Sequence, residues 1–198
     1  MLPEKYRIDT LLHMTIMTRL LEVAAEHGGY VTPSLAAEVG VEDGRLRVLA
    51  SRGELEHSGH GLYRIPTFPM TQHDALHRAV LWPDGRGVIS HESAAALHDL
   101  ADVNPRTVHV TVPYRVRRRG GDQYRLWVAA LEREDLDEHL GIPVTSVTRT
   151  LTDMAAIGTD PGLVRQALRT ASHRGLIEEV AAARILVSIA DRDARVRA

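Results

Sequence analysis

The sequence predicts an α+β chain: an N-terminal winged helix-turn-helix, then a mixed α/β domain with a small sheet and several helices. Three observations carry this. Residues 11–66 run helix, glycine turn, short helix, glycine turn, helix, and then two extended runs about Gly59-His60-Gly61. Pro66 and Pro69, three apart, break any continuing helix or central strand. Beyond them, period-two runs at 108–112 and 124–129 alternate with helix-spaced apolar residues. The 198 residues suffice for two domains, expected at 1–67 and 70–198, with the junction near 66–71.

In the first domain, Leu12, Ile16, Leu20 and Val23 recur at helical spacing, so 11–27 is a helix with one buried face. Gly28-Gly29 ends it, because glycine accepts the left-handed turn. Tyr30-Val31 is short and extended. Thr32 suits an N-cap and Pro33 the first helical position of a helix running to Val39 and stopped by Gly40. A third helix starts near Glu42. Leu46, Leu49 and Ala50 face inward, leaving Gly44, Arg45, Arg47, Val48, Ser51 and Arg52 outside, before Gly53 ends it. Two short strands at 54–58 and 62–66 then form a hairpin placed as the wing.

That order of elements points to DNA. The third helix suits the major groove, where Arg45 and Arg47, with Val48 and Ser51, meet base edges. Arg52, His60 and Arg64 would meet phosphates or the minor groove. A solvated face is the competing reading. Glu42, Asp43, Glu54 and Glu56 match Arg45, Arg47, Arg52 and Arg64 one for one, so charge alone does not select DNA.

The second domain opens with a helix over 71–81, a short extended Val88-Ile89-Ser90 and a helix from Ser90 or His91 to His98. Strands 108–112 and 124–129 follow, joined by a loop read as a hairpin loop. Helices are expected at 145–157, 161–172 and 176–190. From Pro105 to Arg125 there are six arginines and one acid. Arg115, Arg117, Arg118 and Arg119 make the loop a phosphate-binding finger, a dock for an acidic partner, or simply a solvated loop. The acidic run Glu132–Glu138 reads as a screen for it or as a helix face.

Composition removes several classes. The chain has no cysteine, which excludes disulfide scaffolds, thiolate zinc sites and cysteine nucleophiles. Aromatics at 4% provide poorly for stacking single-stranded nucleic acid. A net charge of -2 argues against a globally basic nucleic-acid binder and leaves only local patches. Lys5 is the only lysine among 24 basic residues, which fits GC-rich codon usage. With no long apolar span and no apolar leader at the N-terminus, a cytoplasmic location without membrane contact is expected.

The strings Gly28-Gly29-Tyr30-Val31-Thr32, Arg52-Gly53-Glu54-Leu55 and Gly61-Leu62-Tyr63-Arg64 resemble the N-terminal domain of the AbiEi antitoxin family. Downstream, Ser90-His91-Glu92-Ser93-Ala94-Ala95-Ala96-Leu97-His98, Val108-His109-Val110-Thr111-Val112-Pro113 and Pro143-Val144 through Thr150-Leu151 resemble its second domain. The resemblance implies a bacterial antitoxin of a two-gene toxin–antitoxin, or abortive-infection, system. The winged helix would bind inverted repeats upstream of its own operon as an autoregulating repressor, with 42–52 as reading helix and 54–65 as wing. The second domain would counter a co-encoded toxin of nucleotidyltransferase fold. A dimer on DNA is a further expectation. Arg115 to Arg119 would suit a positive face said to assist DNA binding in such proteins. No cofactor and no catalytic residue is implied, and a plain winged-helix regulator remains the alternative.

Enzyme motifs are sparse. His73 and His77 stand at i and i+4, a spacing that can bind zinc, but Asp74 stands where a metalloprotease needs Glu. His91-Glu92 with His98 is a looser pairing. Neither has an evident third ligand. Nucleophile-elbow, P-loop and dinucleotide glycine patterns are absent. A metal-dependent enzyme is therefore the remote alternative.

Overall fold

In the computed structural model, which describes residues 4–116 and 123–197, contacts divide the chain into two compact units, Met1–Gly85 and Arg86–Ala198. Each is α and β mixed.

The first unit runs α1 (Glu4–Glu26), β1 (Tyr30–Val31), α2 (Pro33–Glu38), α3 (Asp43–Ser51), β2 (Glu56–Gly59), β3 (Leu62–Arg64) and α4 (Asp74–Leu81). The strands form an antiparallel sheet in the order β1-β3-β2, the wing arrangement. The Thr32 hydroxyl accepts the Leu35 N–H at 3.2 Å, with Pro33 opening α2. Leu20 and Ala24 of α1, Ala36 of α2 and Leu46 and Leu49 of α3 close on Val31, Leu55, Tyr63 and Ile65 as one core. The helix-turn-helix and wing are thus held by a common apolar centre.

This unit extends past the 66–71 junction expected from sequence. Gly28 turns with φ +63, and a Cβ there would strike the His77 ring of α4. Tyr30 donates its hydroxyl to the Asp74 carboxylate at 2.9 Å. Helix α4 therefore closes the α1–β1 turn and belongs to the first unit. A break at two prolines is a local turn; only the later contacts reveal that the chain folds back. Helix α1 also starts at Glu4, well before residue 11.

The second unit contains β4 (Val88–Ile89), α5 (His91–Leu97), β5 (Val108–Val112), β6 (Tyr124–Val128), a 3-10 turn Arg133–Asp135, β7 (Leu136–His139), β8 (Ile142–Thr145), α6 (Val147–Ile157), α7 (Pro161–His173) and α8 (Glu179–Arg197). Its sheet has the order β6-β5-β4-β8-β7. The β5–β6 and β4–β8 pairs are parallel and the others antiparallel. Leu151 and Met154 of α6, Val164 and Leu168 of α7 and Ile185 and Ile189 of α8 form the helical core. Ser146 and Asp160 accept N–H groups from the first turns of α6 and α7, and Gly158 ends α6 at φ +87.

Three features differ from the sequence expectation. Because β5 and β6 run parallel, the connection 113–123 is a crossover and not a hairpin loop. The acidic run 132–138 holds the 3-10 turn and most of β7, and β8 ends at Thr145, where a helix start was expected. Among the described residues, no helix is long and apolar enough to cross a membrane.

Candidate nucleic-acid interface

Helix α3 has a buried and an outward side. Leu46 and Leu49 are fully buried. Gly44, Arg47, Val48 and Ser51 are exposed at the i, i+3, i+4, i+7 spacing of one stripe. Arg52 is exposed at its end, and Arg45 is half-buried on the flank, its Nε without a partner. A Cβ on Gly44 would meet nothing, so that part of the helix backbone is open to close approach. Ser51 donates its hydroxyl to the Val48 carbonyl at 2.8 Å, which turns the group back onto its own helix.

Arg47 is 70% exposed and holds Asp43 one turn earlier at 2.5 Å. An exposed i,i+4 pair contributes about 0.3–0.5 kcal/mol. A bidentate phosphate or guanine contact exceeds that, so Asp43 presets the side chain without locking it.

The wing differs from expectation. His60 is exposed at its tip. Arg64 is buried, its side chain only 8% exposed. Its guanidinium lies 3.5 Å from Glu56 and 4.0 Å from Asp74, and donates to the Phe68 carbonyl at 2.5 Å. Removing it from that site would break the bond to the Phe68 carbonyl and take a positive charge from beside Asp74. Arg64 is thus held beneath the wing, its guanidinium already committed within the fold. Burial pushes the Asp74 carboxyl up, but the Thr71 N–H, the Tyr30 and Thr71 hydroxyls and Arg64 together hold it below its usual range. Burial, then Asp74, pushes the Tyr30 hydroxyl up to about 12.

In the second unit Arg115 is exposed just after β5, while Arg117, Arg118 and Arg119 lie outside the described residues. Arg125 caps the Trp127 ring at 4.8 Å.

A polar cluster missed from sequence surrounds that ring. His109 and Thr111 of β5 face Arg125 and Trp127 of β6 in register. His91 stacks on Trp127 at 4.3 Å, with Nδ1 2.9 Å from the Ser90 hydroxyl oxygen. His91 also carries φ +52, rare for a residue with a side chain. His109 Nδ1, Thr111 Oγ1 and Trp127 Nε1 are buried without protein partners. Burial, helped by His109, Arg125 and Arg149, pushes His91 down to about 3. Burial also lowers His109, against Glu92. Both rings are therefore neutral near pH 7. The period-two alternation at 108–112 marks the strand; bringing the His109 ring within 6.1 Å of Trp127 requires the parallel register.

The histidine pairings do not converge on a metal. His77 is buried under Gly28, and His73 meets Gln72 at 3.2 Å. His98 Nε2 contacts the Thr145 carbonyl oxygen at 2.8 Å, while Glu92 accepts from Thr159. Among the described residues no three His, Cys, Asp or Glu side chains are grouped to hold an ion.

Residues 19–66 match the family described as "Transcriptional regulator, AbiEi antitoxin". The match spans the last third of α1, the helix-turn-helix and the wing, and so supports over this segment the resemblance read from the sequence. No curated protein matches the chain significantly.

Proposed function

We propose that this chain is a DNA-binding antitoxin that represses its own operon. The observation that carries the reading is the outward stripe of α3, Gly44-Arg47-Val48-Ser51 with Arg52, in a winged helix of AbiEi regulator type. The stripe enters the major groove of each half of an inverted repeat upstream of the gene, in a cytoplasmic setting where DNA is accessible. Arg47 leaves Asp43 for a base edge or phosphate. Arg45 and Arg52 flank it on the backbone, and His60 reaches out from the wing. Val48 offers an apolar contact for a thymine methyl. Arg115, with Arg117, Arg118 and Arg119, adds phosphate contacts from the second unit.

The second unit counters a co-encoded toxin of nucleotidyltransferase fold and carries no catalytic activity of its own. A plain regulator, without a toxin, is the second reading. It is favoured by the family match ending at residue 66, inside the first unit.

Fluorescence anisotropy with the DNA upstream of the gene, against scrambled DNA across a salt series, tests the repressor half. Sequence preference with a steep salt slope supports it, and the slope counts the phosphates engaged. Equal binding to both DNAs refutes it. Co-expression with the neighbouring gene separates the readings: rescue of growth supports the antitoxin, and repression without rescue supports the plain regulator.

A further inference from the structure

The second unit carries a groove that the DNA reading leaves unused. It lies between the turn before β7, helix α6 and the segment leading into α8, with a volume of about 940 Å³. Five carboxylates line it, against the single guanidinium of Arg149. That guanidinium is already committed, to Asp135 at 2.7 Å and Asp153 at 2.9 Å. Burial pushes the Asp153 carboxyl up, while Asp153 and Asp135 hold the Arg149 guanidinium charged. Glu134, Asp137 and Glu178 are exposed on the walls.

The floor is apolar. Leu176 is 40% exposed there, beside half-buried Ile177 and Ala181. A second depression of about 280 Å³ shares Thr148, Thr152 and Ala181 with the groove and continues along α6 and α8 past buried Ala155 and Ile185 to Arg184 and Ser188, where the acidic lining ends. A soluble protein seldom leaves apolar side chains contiguous in this way except where something covers them.

We propose that this groove is a docking surface for a basic segment of another protein, with aliphatic side chains on the floor and arginine or lysine against Glu134, Asp137 and Glu178. Charge complementarity selects the occupant. Five carboxylates repel nucleic acid and anionic lipid, so neither occupies this face. A small neutral ligand would leave the acidic walls unpaired. A cationic, partly aliphatic segment matches both parts, steered by the walls and held by the floor.

The experiment titrates the full chain, isotope-labelled for NMR, with two fluorescein-labelled helical peptides. One carries arginines opposite leucines; the control carries glutamates in place of the arginines. The expected result is saturable binding of the arginine peptide alone, with shifts at Thr148, Thr152, Leu176 and Ala181. Glu134→Arg with Glu178→Arg should weaken it about tenfold or more. Both positions are exposed, so the double variant should fold. Thr152→Trp, which fills the groove without changing its charge, should weaken it as well. Upstream-DNA binding by Thr152→Trp should stay within about twofold, because the stripe of α3 and the charge of the chain are untouched. Three results would overturn the proposal: equal affinity for both peptides, shifts outside the groove, or full binding by both variants. Self-association of the chain displaced by the arginine peptide would also overturn it, by making a second copy the occupant.

Discussion

Two arginines of the first unit make opposite use of the same side chain. Arg47 projects from α3 with one exposed carboxylate one turn away. Arg64, 17 positions on and nominally in the wing, is buried among Glu56, Asp74 and the Phe68 carbonyl. The first is cheap to redirect, whereas the second would give up its hydrogen bond to the Phe68 carbonyl and its place beside Asp74. Clustering of arginines along a sequence therefore does not identify a phosphate-binding surface. What distinguishes them is how many acceptors the fold already commits to each guanidinium.

The comparison can be broken most forcefully at Arg64. Arg64→Ala should cost about 2–3 kcal/mol, because it removes a buried guanidinium that donates to the Phe68 carbonyl and carries its charge beside Asp74. Chemical denaturation would show this as a lowered midpoint, and any loss of DNA affinity should track the unfolded fraction. If Arg64→Ala left stability intact and weakened DNA binding alone, Arg64 would be a DNA contact after all.

Gly28→Ala tests whether α4 belongs with the same network. The left-handed φ +63 and the His77 ring over Gly28 together predict a loss of about 2 kcal/mol. A neutral substitution would show that α4 does not pack there.

The buried histidines predict a pH dependence. His27, His77, His91 and His109 are all lowered in the fold, chiefly by burial. Below the ordinary histidine value of 6.5, the unfolded chain takes up protons that the folded one refuses. Stability should therefore be full above pH 6.5 and fall as pH drops, with His91 still contributing toward about pH 3. Each fully refused proton is worth about 1.4 kcal/mol per pH unit. Denaturant midpoints between pH 7 and 4.5 check this, and a flat profile would contradict the burial of these rings.

The smallest effect on stability is expected at Arg47. Arg47→Ala should change it by at most about 0.5 kcal/mol while lowering the salt slope of DNA binding by about one if the contact is to phosphate.

Much of the first unit was legible in the sequence for a physical reason. Leu46, Leu49 and Ala50 mark the inner side of α3 at helical spacing, and that fixes which residues face out. The Gly59-His60-Gly61 turn marked the hairpin. Arg64 was not legible as a strut, because its partner Asp74 comes from a helix beyond Pro66 and Pro69. The β7 strand was hidden because Leu136-Asp137-Glu138-His139 lies largely exposed and shows no apolar alternation. The polar cluster about Trp127 was hidden because parallel pairing of β5 and β6 leaves no local signature.

The most direct measurement compares wild type with the Arg45→Ala, Arg47→Ala, Arg52→Ala triple variant on upstream and scrambled DNA at one salt concentration, beside their melting temperatures. The account predicts unchanged melting and a preference for upstream DNA that collapses to parity. A triple variant that folds and keeps the wild-type preference would show that α3 is not the reading helix.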